Sequence, residues 1–313
     1  MSARIETLKI KRVTTPVLDL APVIEALRES RENTHNIRQD GKVIELPSSL
    51  AMLDVLQGII TSLFPTHLGP QGLNHENIDI FVANSLSTAL TRLSDQIARS
   101  LQFNLQNTSS TEARCQAERI TRQFGSDLPH IRALLVSDLK AAQLRDPSAE
   151  SLSEILICYR SSTAILYYRL AHALYQRGAS LVARMVSDLA HASTGIYIHP
   201  AARIGPGFFI SRGTGVVIGE TSVIGENVCL HQGVTLGEAE FIGDAETPVQ
   251  RRASRHPVIE NNVVIHSGAT LLGRITIGAG SVVHSNVSLS RSIPPGSIVR
   301  QASLQHGEVS ALR

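Results

Sequence analysis

The C-terminal half of the sequence repeats a six-residue pattern, and this repeat limits the fold more than any other feature. Branched apolar residues lead successive hexads, and small or apolar residues recur four positions after the later leads. The leads are Ile198, Ile204, Ile210, Ile218, Ile224, Leu230, Leu236, Ile259, Ile265, Leu271, Ile277, Val283 and Leu289. Neither an α-helix nor a hairpin sheet has this period. We therefore predict a parallel β-helix that turns a corner every six residues.

Two interruptions of the repeat separate its parts. Between Ile210 and Ile218 the register shifts by two residues, and the segment 237–257 contains no hexads. That segment is too long for a corner and is rich in charged residues, so we predict a loop that leaves the β-helix. Excursion loops in compact domains are often functional.

The region that precedes the repeat has helical periodicity. Apolar residues recur at spacings of three and four, as in Leu50, Leu53, Leu56 and Ile60. We expect helix breaks at Pro65–Gly72, at Asn107–Ser110 and at Gly125–Pro129, and one further helix over 151–177 that ends at Gly178. The sequence predicts an α+β chain with four parts: an N-terminal extension (1–46), an α-helical domain (47–191), a β-helix (192–300) that carries the loop 237–257, and a C-terminal tail (301–313).

Composition excludes several classes of function. Lysine and arginine number 29 against 27 acidic residues, so the net charge of +2 gives no reason to expect nucleic acid or an acidic membrane as a partner. The N-terminus lacks the apolar run of a signal peptide, and no stretch is apolar for long enough to span a bilayer. The three cysteines have neither metal-binding nor disulfide spacing. We expect a cytoplasmic protein.

Several motifs resemble the serine O-acetyltransferase family of hexapeptide-repeat acyltransferases. They are IHPAARIG, GTGVVIGET, QGVTLG, RHP and GATLLGRITIGAGSVV, and the match extends over residues 145–236 and 255–297. The resemblance implies a left-handed β-helix, the opposite of the usual hand of parallel crossovers, and assembly into a trimer or a dimer of trimers. It also implies acetyl transfer from acetyl-CoA to the hydroxyl of L-serine, a step of cysteine biosynthesis.

The resemblance assigns functions to individual residues. His256 matches an active-site His, Arg255 matches the residue that pairs with the substrate carboxylate, and Asp146 matches an acidic substrate contact from the helical domain. Three positions fall where the family contacts CoA: Gly237, Ser267 and Ser285. We predict that His256 is the catalytic base, because a neutral imidazole can take the proton of the serine hydroxyl.

Three positions depart from the family's pattern. Ser211 and Arg212 replace an Asp-His pair, and Tyr197 replaces the Asp that orients the His of that pair. Arginine stays protonated at physiological pH, so Arg212 cannot be a general base. Loss of such a base typically costs about two to four powers of ten in rate. Ser211 and Arg212 remain predicted substrate contacts, and the alternative is a homologue that acylates a different, acidic acceptor or that only binds partners.

The other histidines and arginines allow more than one interpretation. His231 and His266 occupy equivalent places in hexads on either side of the loop, so either could replace the missing base, or both could be interface or solvent residues. His199, which precedes a proline, is interpreted as structural. Without nearby carboxylates these histidines make a weak metal site, and we predict no metal. The loop residues Arg251, Arg252 and Arg255 could attract the CoA phosphates or form a solvated charge run.

The C-terminal residues bear on one further partner. In the family, a complex with the sulfhydrylase that consumes O-acetylserine depends on a C-terminal Ile. This chain ends with Arg313, whose long charged side chain would enter an apolar pocket. We therefore expect a weak sulfhydrylase complex or none.

Overall fold

The computed structural model describes residues 19–33, 45–104, 109–239 and 253–301. The predicted charge run at Arg251 and Arg252 and the C-terminal peptide lie outside these described residues. Two units are distinguished by their internal contacts, residues 1–44 and residues 45–313. Helix α1 (Ala21–Asn33) belongs to the first unit. In the described ranges, no helix has the length and apolar character needed to cross a membrane.

The second unit begins with a helical region. Its helices are α2 (Ser49–Leu63), α3 (Pro65–Leu68), α4 (Ile78–Asn104), α5 (Ser110–Arg145), α6 (Leu152–Cys158), α7 (Arg160–Gln176) and α8 (Ser180–Thr194). Helix α5 starts with a capping box, in which the Ser109 hydroxyl accepts from the Glu112 backbone N–H and the Glu112 carboxylate accepts from the Ser109 N–H. Helix α8 ends at Gly195, whose φ of 69° is the left-handed conformation that glycine adopts readily.

Two expected helix boundaries are wrong. Helix α5 continues through Gly125 and Pro129, because its apolar stripe of Phe124, Leu128 and Ile131 is buried without interruption across that segment. This burial outweighs the single backbone hydrogen bond that a proline removes. The helix expected over 151–177 is instead two helices, since Tyr159 between them is extended, with φ −85° and ψ 117°.

The β-helix follows directly after α8. Its strands are β1 (Tyr197–Ile198), β2 (Arg203–Ile204), β3 (Phe209–Ser211), β4 (Val217–Ile218), β5 (Val223–Ile224), β6 (Cys229–His231), β7 (Thr235–Gly237), β8 (Val258–Ile259), β9 (Val264–Ile265), β10 (Thr270–Leu272), β11 (Thr276–Ile277), β12 (Val282–Val283), β13 (Ser288–Leu289) and β14 (Ile298–Val299). All pairings are parallel among the described strands. Consecutive strands along the chain lie on three different faces of the β-helix.

The three faces are defined by their strands. Face 1 contains β1, β4, β7, β10 and β13, face 2 contains β2, β5, β8 and β11, and face 3 contains β3, β6, β9, β12 and β14. Every hexad lead is in a strand and is buried. The leads therefore fill the interior of the β-helix, as the repeat predicts, and the residues on either side of them point outward.

A buried ion pair joins the helical region to the first coil. The guanidinium of Arg169 donates to both carboxylate oxygens of Asp138 at 3.0 Å, and also to the carbonyl oxygens of Ile204 (2.6 Å) and Gly205 (2.7 Å). Asp138 in turn accepts from the Phe208 backbone N–H at 2.9 Å. Because both charges are almost fully buried, these hydrogen bonds are needed to offset the desolvation of the pair.

Candidate active site

The predicted site residues lie at two different corners of the β-helix. The Ser211 corner, between faces 3 and 1, comprises residues 211–215, 231–233, 266–268 and 284–286. The His256 corner, between faces 1 and 2, comprises residues 219–222, 237–238 and 255–257. Ser211, Arg212, Ser267 and Ser285 share the first corner, and Gly237, Arg255 and His256 share the second. The two corners are opposite edges of face 1, so one subunit does not bring the whole set together.

The Ser211 corner is longer than the others by two residues. This insertion is the register shift seen in the sequence, and it gives Arg212 a φ of 64° and Gly213 a φ of 90°. A left-handed φ is uncommon for a residue other than glycine, asparagine or aspartate. The strained turn leaves the Arg212 side chain exposed while Ser211 stays partly buried. Arg212 is therefore presented to solvent at an edge of the β-helix.

Asp146, at the end of α5, is held by its own neighbours. One carboxylate oxygen accepts from the Ser148 backbone N–H (3.0 Å) and hydroxyl (2.6 Å), and the other accepts from the Tyr159 hydroxyl (2.9 Å). These hydrogen bonds, chiefly those from Ser148, lower the pKa of Asp146, and the positive charge of Arg212 contributes in the same direction. Asp146 is thus an ionised carboxylate within electrostatic range of the Ser211 corner.

The imidazole of His256 is buried and is fixed by Thr221. Its Nδ1 atom lies 3.2 Å from the Thr221 backbone nitrogen and 2.9 Å from Thr221 Oγ1. The same Oγ1 accepts from the backbone N–H groups of Arg255 (2.9 Å) and His256 (3.0 Å). With both lone pairs of Oγ1 occupied, the hydroxyl hydrogen is left to point at Nδ1.

The tautomer of His256 follows from these contacts. A backbone N–H and a hydroxyl both donate to Nδ1, so Nδ1 is an acceptor and the hydrogen of the neutral ring is on Nε2. Burial lowers the pKa of His256, and the nearby charge of Arg255 lowers it further. The ring is therefore a neutral Nε2–H donor near pH 7. This arrangement does not favour the predicted role of His256 as the base, although it suits donation to an oxygen that gains negative charge.

Gly219 leaves the space that the His256 ring occupies. A Cβ atom at this position would overlap the Cδ2 and Nε2 atoms of His256. The ring therefore lies directly against the backbone at the end of β4. The carbonyl oxygens of Thr221 and His256 both accept from Arg274 Nη1, at 2.8 and 2.9 Å. Arg274 thus ties the two segments of this corner together.

The guanidinium of Arg255 lies between two carboxylates. Its Nη2 donates to Glu220 Oε2 at 2.6 Å, and its Nε is 2.7 Å from Glu238 Oε2. That second contact is an ion pair without hydrogen-bond alignment, since Nε has no hydrogen-bond partner within the described residues. Nη1 is also buried without a partner in the described part of the chain. A buried unpaired donor is costly, so this corner is suited to receive an anionic oxygen.

Several residues of this corner were missed by sequence reasoning. Glu220 and Thr221 lie in the GTGVVIGET motif, which signalled the family without indicating what these side chains do. Gly219 lies in the same motif and Arg274 lies in GATLLGRITIGAGSVV, but neither motif indicates their contacts, because these depend on how coils stack across the loop. Neighbouring His199 is buried, and burial is the main cause that lowers its pKa to about 4. Across the described ranges, no three His, Cys, Asp or Glu side chains form a group that could hold a metal ion.

Comparisons with known proteins agree with this architecture. Residues 256–291 match the model of the bacterial transferase hexapeptide family (six repeats). A plasmid serine acetyltransferase of Synechococcus elongatus is 44% identical over 293 residues, which are 91% of this chain and 92% of the relative. Isoform 3 of the serine acetyltransferase of Entamoeba histolytica, solved in complex with cysteine, superposes with a TM-score of 0.70 at 30% identity, covering 92% of this chain and 94% of that one.

A more distant structure is a serine acetyltransferase of Neisseria gonorrhoeae in complex with serine. It has a TM-score of 0.52 at 25% identity and covers 85% of this chain and 98% of its own. The expected fold, an α-helical region followed by a left-handed β-helix of hexapeptide repeats, is confirmed. The similarity to the cyanobacterial relative covers nearly the full length of both chains, and the chain belongs to the serine acetyltransferase family.

Proposed function

We propose that the protein transfers the acetyl group of acetyl-CoA to the hydroxyl of L-serine, giving O-acetyl-L-serine and CoA. The observation that carries this proposal is the buried Nη1 of Arg255, which has no partner among the described residues, next to a neutral Nε2–H donor on His256. Two donors at one corner fit a small substrate that carries a carboxylate and that develops an oxyanion during acyl transfer. The relatives that are named serine acetyltransferases support the same activity.

The roles of the site residues follow from their contacts. Arg255 Nη1 would pair with the serine carboxylate, and His256 Nε2–H would donate to an oxygen that gains charge in the transition state. Because the pKa of the imidazolium is lowered, the ring is neutral near pH 7 and donates through Nε2–H. Asp146 stays ionised and would attract the amino group of serine, while Ser211 and Arg212 would border the acceptor at the same corner.

The CoA contacts are proposed for both corners. Ser267 and Ser285 lie in consecutive coils of the β-helix at the Ser211 corner. The Ser267 carbonyl accepts from the Asn286 N–H at 2.9 Å. Gly237 belongs to the other corner, one rung from Gly219. A pantetheine arm that touched all three would run between two β-helices, with the Ser211 corner of one facing the His256 corner of the next.

A trimer, or a dimer of trimers, would bring these corners together. The two halves of the site are separated by face 1 within one chain, and a heterologous interface that closes after three subunits would pair them. Exposed apolar side chains on the β-helix, including Val217 and Ile298, are consistent with further contacts. We place the reaction in the cytoplasm, a compartment that suits the free thiols of Cys115, Cys158 and Cys229.

The test is acetyl transfer by the purified full chain. With acetyl-CoA and L-serine we expect release of CoA thiol together with O-acetylserine identified by mass, and neither product with D-serine. If L-serine gives only background release of CoA thiol while a dicarboxylic hydroxy acid is acetylated, the enzyme acts on an acidic acceptor and the proposal is wrong. If no acceptor releases thiol although acetyl-CoA binds, the chain is a non-catalytic homologue.

A further inference from the structure

Three imidazoles are stacked along the Ser211 corner. The ring centroids of His231 and His266 are 4.8 Å apart, those of His266 and His284 are 5.4 Å apart, and each pair of planes makes an angle of 27°. We call these three residues the imidazole column. Each histidine directly follows a paired strand residue of face 3. Leu230 pairs with Ile265 and Ile265 pairs with Val283, so the next residues, His231, His266 and His284, are aligned.

The column starts one rung from Ser211. Ser211 pairs with His231 in the register of β3 and β6, and neighbouring strands are about 4.8 Å apart. His231 is partly buried and lies beside the inserted turn that presents Arg212. No hydrogen bond to either ring nitrogen of His231 or His266 is formed within the described ranges. These nitrogens are therefore available to a substrate.

The other buried histidines near the two corners lack this freedom. His256 accepts at Nδ1 from Thr221, and His199 accepts at Nδ1 from the Ala201 backbone N–H at 3.1 Å. Both neutral rings consequently carry their hydrogen on Nε2. The lone pair of each ring is then on Nδ1, where protonation would form an imidazolium whose new N–H opposes the group that donates to Nδ1.

We propose that His231 is the general base for the serine hydroxyl, at the edge of the β-helix that pairs with the His256 corner of a neighbouring subunit. This assignment rests on the proposed acetyl transfer. The arrangement divides the chemistry between two imidazoles, one that accepts a proton at the Ser211 corner and one that donates a hydrogen bond at the His256 corner. His266 acts as a positioning residue, since it stacks on His231 and limits the orientation of its ring.

The proton and the bonds balance in this scheme. The unprotonated ring nitrogen of His231 takes the hydroxyl proton as the serine oxygen attacks the carbonyl carbon of the thioester. The tetrahedral intermediate collapses by breaking the carbon–sulfur bond. The imidazolium then returns the proton to the departing thiolate, so that CoA leaves as a thiol and His231 is again neutral.

The surroundings of His231 keep it unprotonated near neutral pH. Burial lowers its pKa, and His266 lowers it further. The titratable and charged groups arranged around it are Cys229 on its own strand, His266 directly after β9, His284 directly after β12, and Arg212 on the turn after β3. The group must be neutral to act as a base, so activity should fall as the pH drops through this lowered pKa.

The experiment compares His231→Asn and His266→Asn with His130→Asn, which changes an exposed residue of α5. The kcat/KM for L-serine is measured over roughly pH 5 to 9 in the full chain, and thermal melts check folding. We expect His231→Asn to lower kcat/KM by about a hundredfold or more and to abolish the acid limb of the profile. His266→Asn should move that limb to higher pH, because the like charge of His266 and part of the burial that lower the pKa of His231 are removed. His130→Asn should match the unmodified protein.

The outcomes separate this inference from the function on which it rests. If the unmodified protein acetylates serine and folded His231→Asn retains the rate and the acid limb, His231 is not the base. Should His231→Asn melt early, His231→Gly with added imidazole replaces it, and rate recovery that rises with imidazole concentration supports the assignment while no recovery contradicts it. If the unmodified protein does not acetylate serine at all, the proposed function fails first and the assignment fails with it.

Discussion

The Nδ1 atom of His256 lies 2.9 Å from Thr221 Oγ1, whose two lone pairs already accept backbone N–H groups. This relationship fixes the tautomer of a buried imidazole without a carboxylate partner, since only hydrogen-bond donors surround Nδ1. The Cδ2 and Nε2 atoms of the ring lie against Gly219. We therefore propose that His256 donates a hydrogen bond during acyl transfer and that another residue takes the serine proton.

Replacing Thr221 by valine should release the ring of His256. The variant removes the hydroxyl that donates to Nδ1 and that accepts two backbone N–H groups, while its shape is nearly unchanged. We expect kcat to fall by about tenfold or more, since the ring loses its fixed orientation. Thr221→Ser keeps the hydroxyl and is the matched control. Equal activity in Thr221→Val and Thr221→Ser would mean that the hydroxyl does not orient His256.

Adding one methyl group at Gly219 should displace the His256 ring. The new Cβ would overlap two atoms of the imidazole, so the ring must leave its position against β4. We expect a loss of about a hundredfold in kcat with the oligomeric state unchanged. Gly125→Ala on α5 is the control, because its Cβ would make only an ordinary contact, at 3.4 Å from Leu90 Cδ1. A Gly219→Ala enzyme with normal turnover would show that this ring position is unimportant.

The sequence predicts the β-helix well because the six-residue repeat can be recognised from the order of residues alone. Each hexad lead, such as Ile224 or Leu271, marks a buried position, and the period alone determines where the chain turns. The repeat does not predict the contacts between coils, since these depend on the two-residue insertion at 211–215 and on the loop that separates Leu236 from Ile259. The imidazole column and the Thr221–His256 contact become visible only once that register is known.

Helix boundaries were harder to predict for another reason. Gly125 and Pro129 are helix breakers by local propensity, yet α5 passes through both because Phe124 and Leu128 bury its apolar stripe. Tertiary burial thus overrides a weak local preference. At Tyr159 the opposite holds, since a segment with a continuous helical pattern is interrupted where the tyrosine hydroxyl donates to Asp146. The spacing of apolar residues predicts neither the continuation of α5 nor the break at Tyr159.

His199 should make the folded state sensitive to acid. Its pKa is lowered to about 4 by burial, whereas an unfolded histidine titrates near pH 6.5. As the pH falls below about 6.5, the unfolded chain binds a proton that the folded chain refuses, so stability declines between pH 6.5 and 4 by up to roughly 3 kcal/mol. In His199→Asn, whose amide oxygen can still accept from Ala201, we expect a shallower decline of Tm over this range. An unchanged slope would contradict the assignment.

The buried ion pair between Asp138 and Arg169 should be sensitive to removal of one partner. Asp138→Ala would leave the guanidinium buried beside only neutral acceptors, and we expect a loss of about 3 to 5 kcal/mol in the free energy of unfolding. Arg177→Ala, which breaks a more exposed pair with Asp127, should cost about 1 kcal/mol or less. Urea titrations of both variants measure the difference. A smaller loss for Asp138→Ala than for Arg177→Ala would show that the buried pair does not hold the helical region to the first coil.

The most direct test of the account asks whether one active site is built from two chains. A His256→Asn chain and a chain inactivated at the Ser211 corner, by Asp146→Asn or His231→Asn, are co-expressed with different tags and purified as mixed assemblies. If each site takes one corner from each of two subunits, every trimer that contains both chains has one intact site in three, so serine acetylation should return to about a third of the unmodified rate in mixed trimers and to about a quarter in randomly mixed dimers of trimers. Mixed assemblies that stay as inactive as either parent would place both corners of the site within one chain and contradict the account.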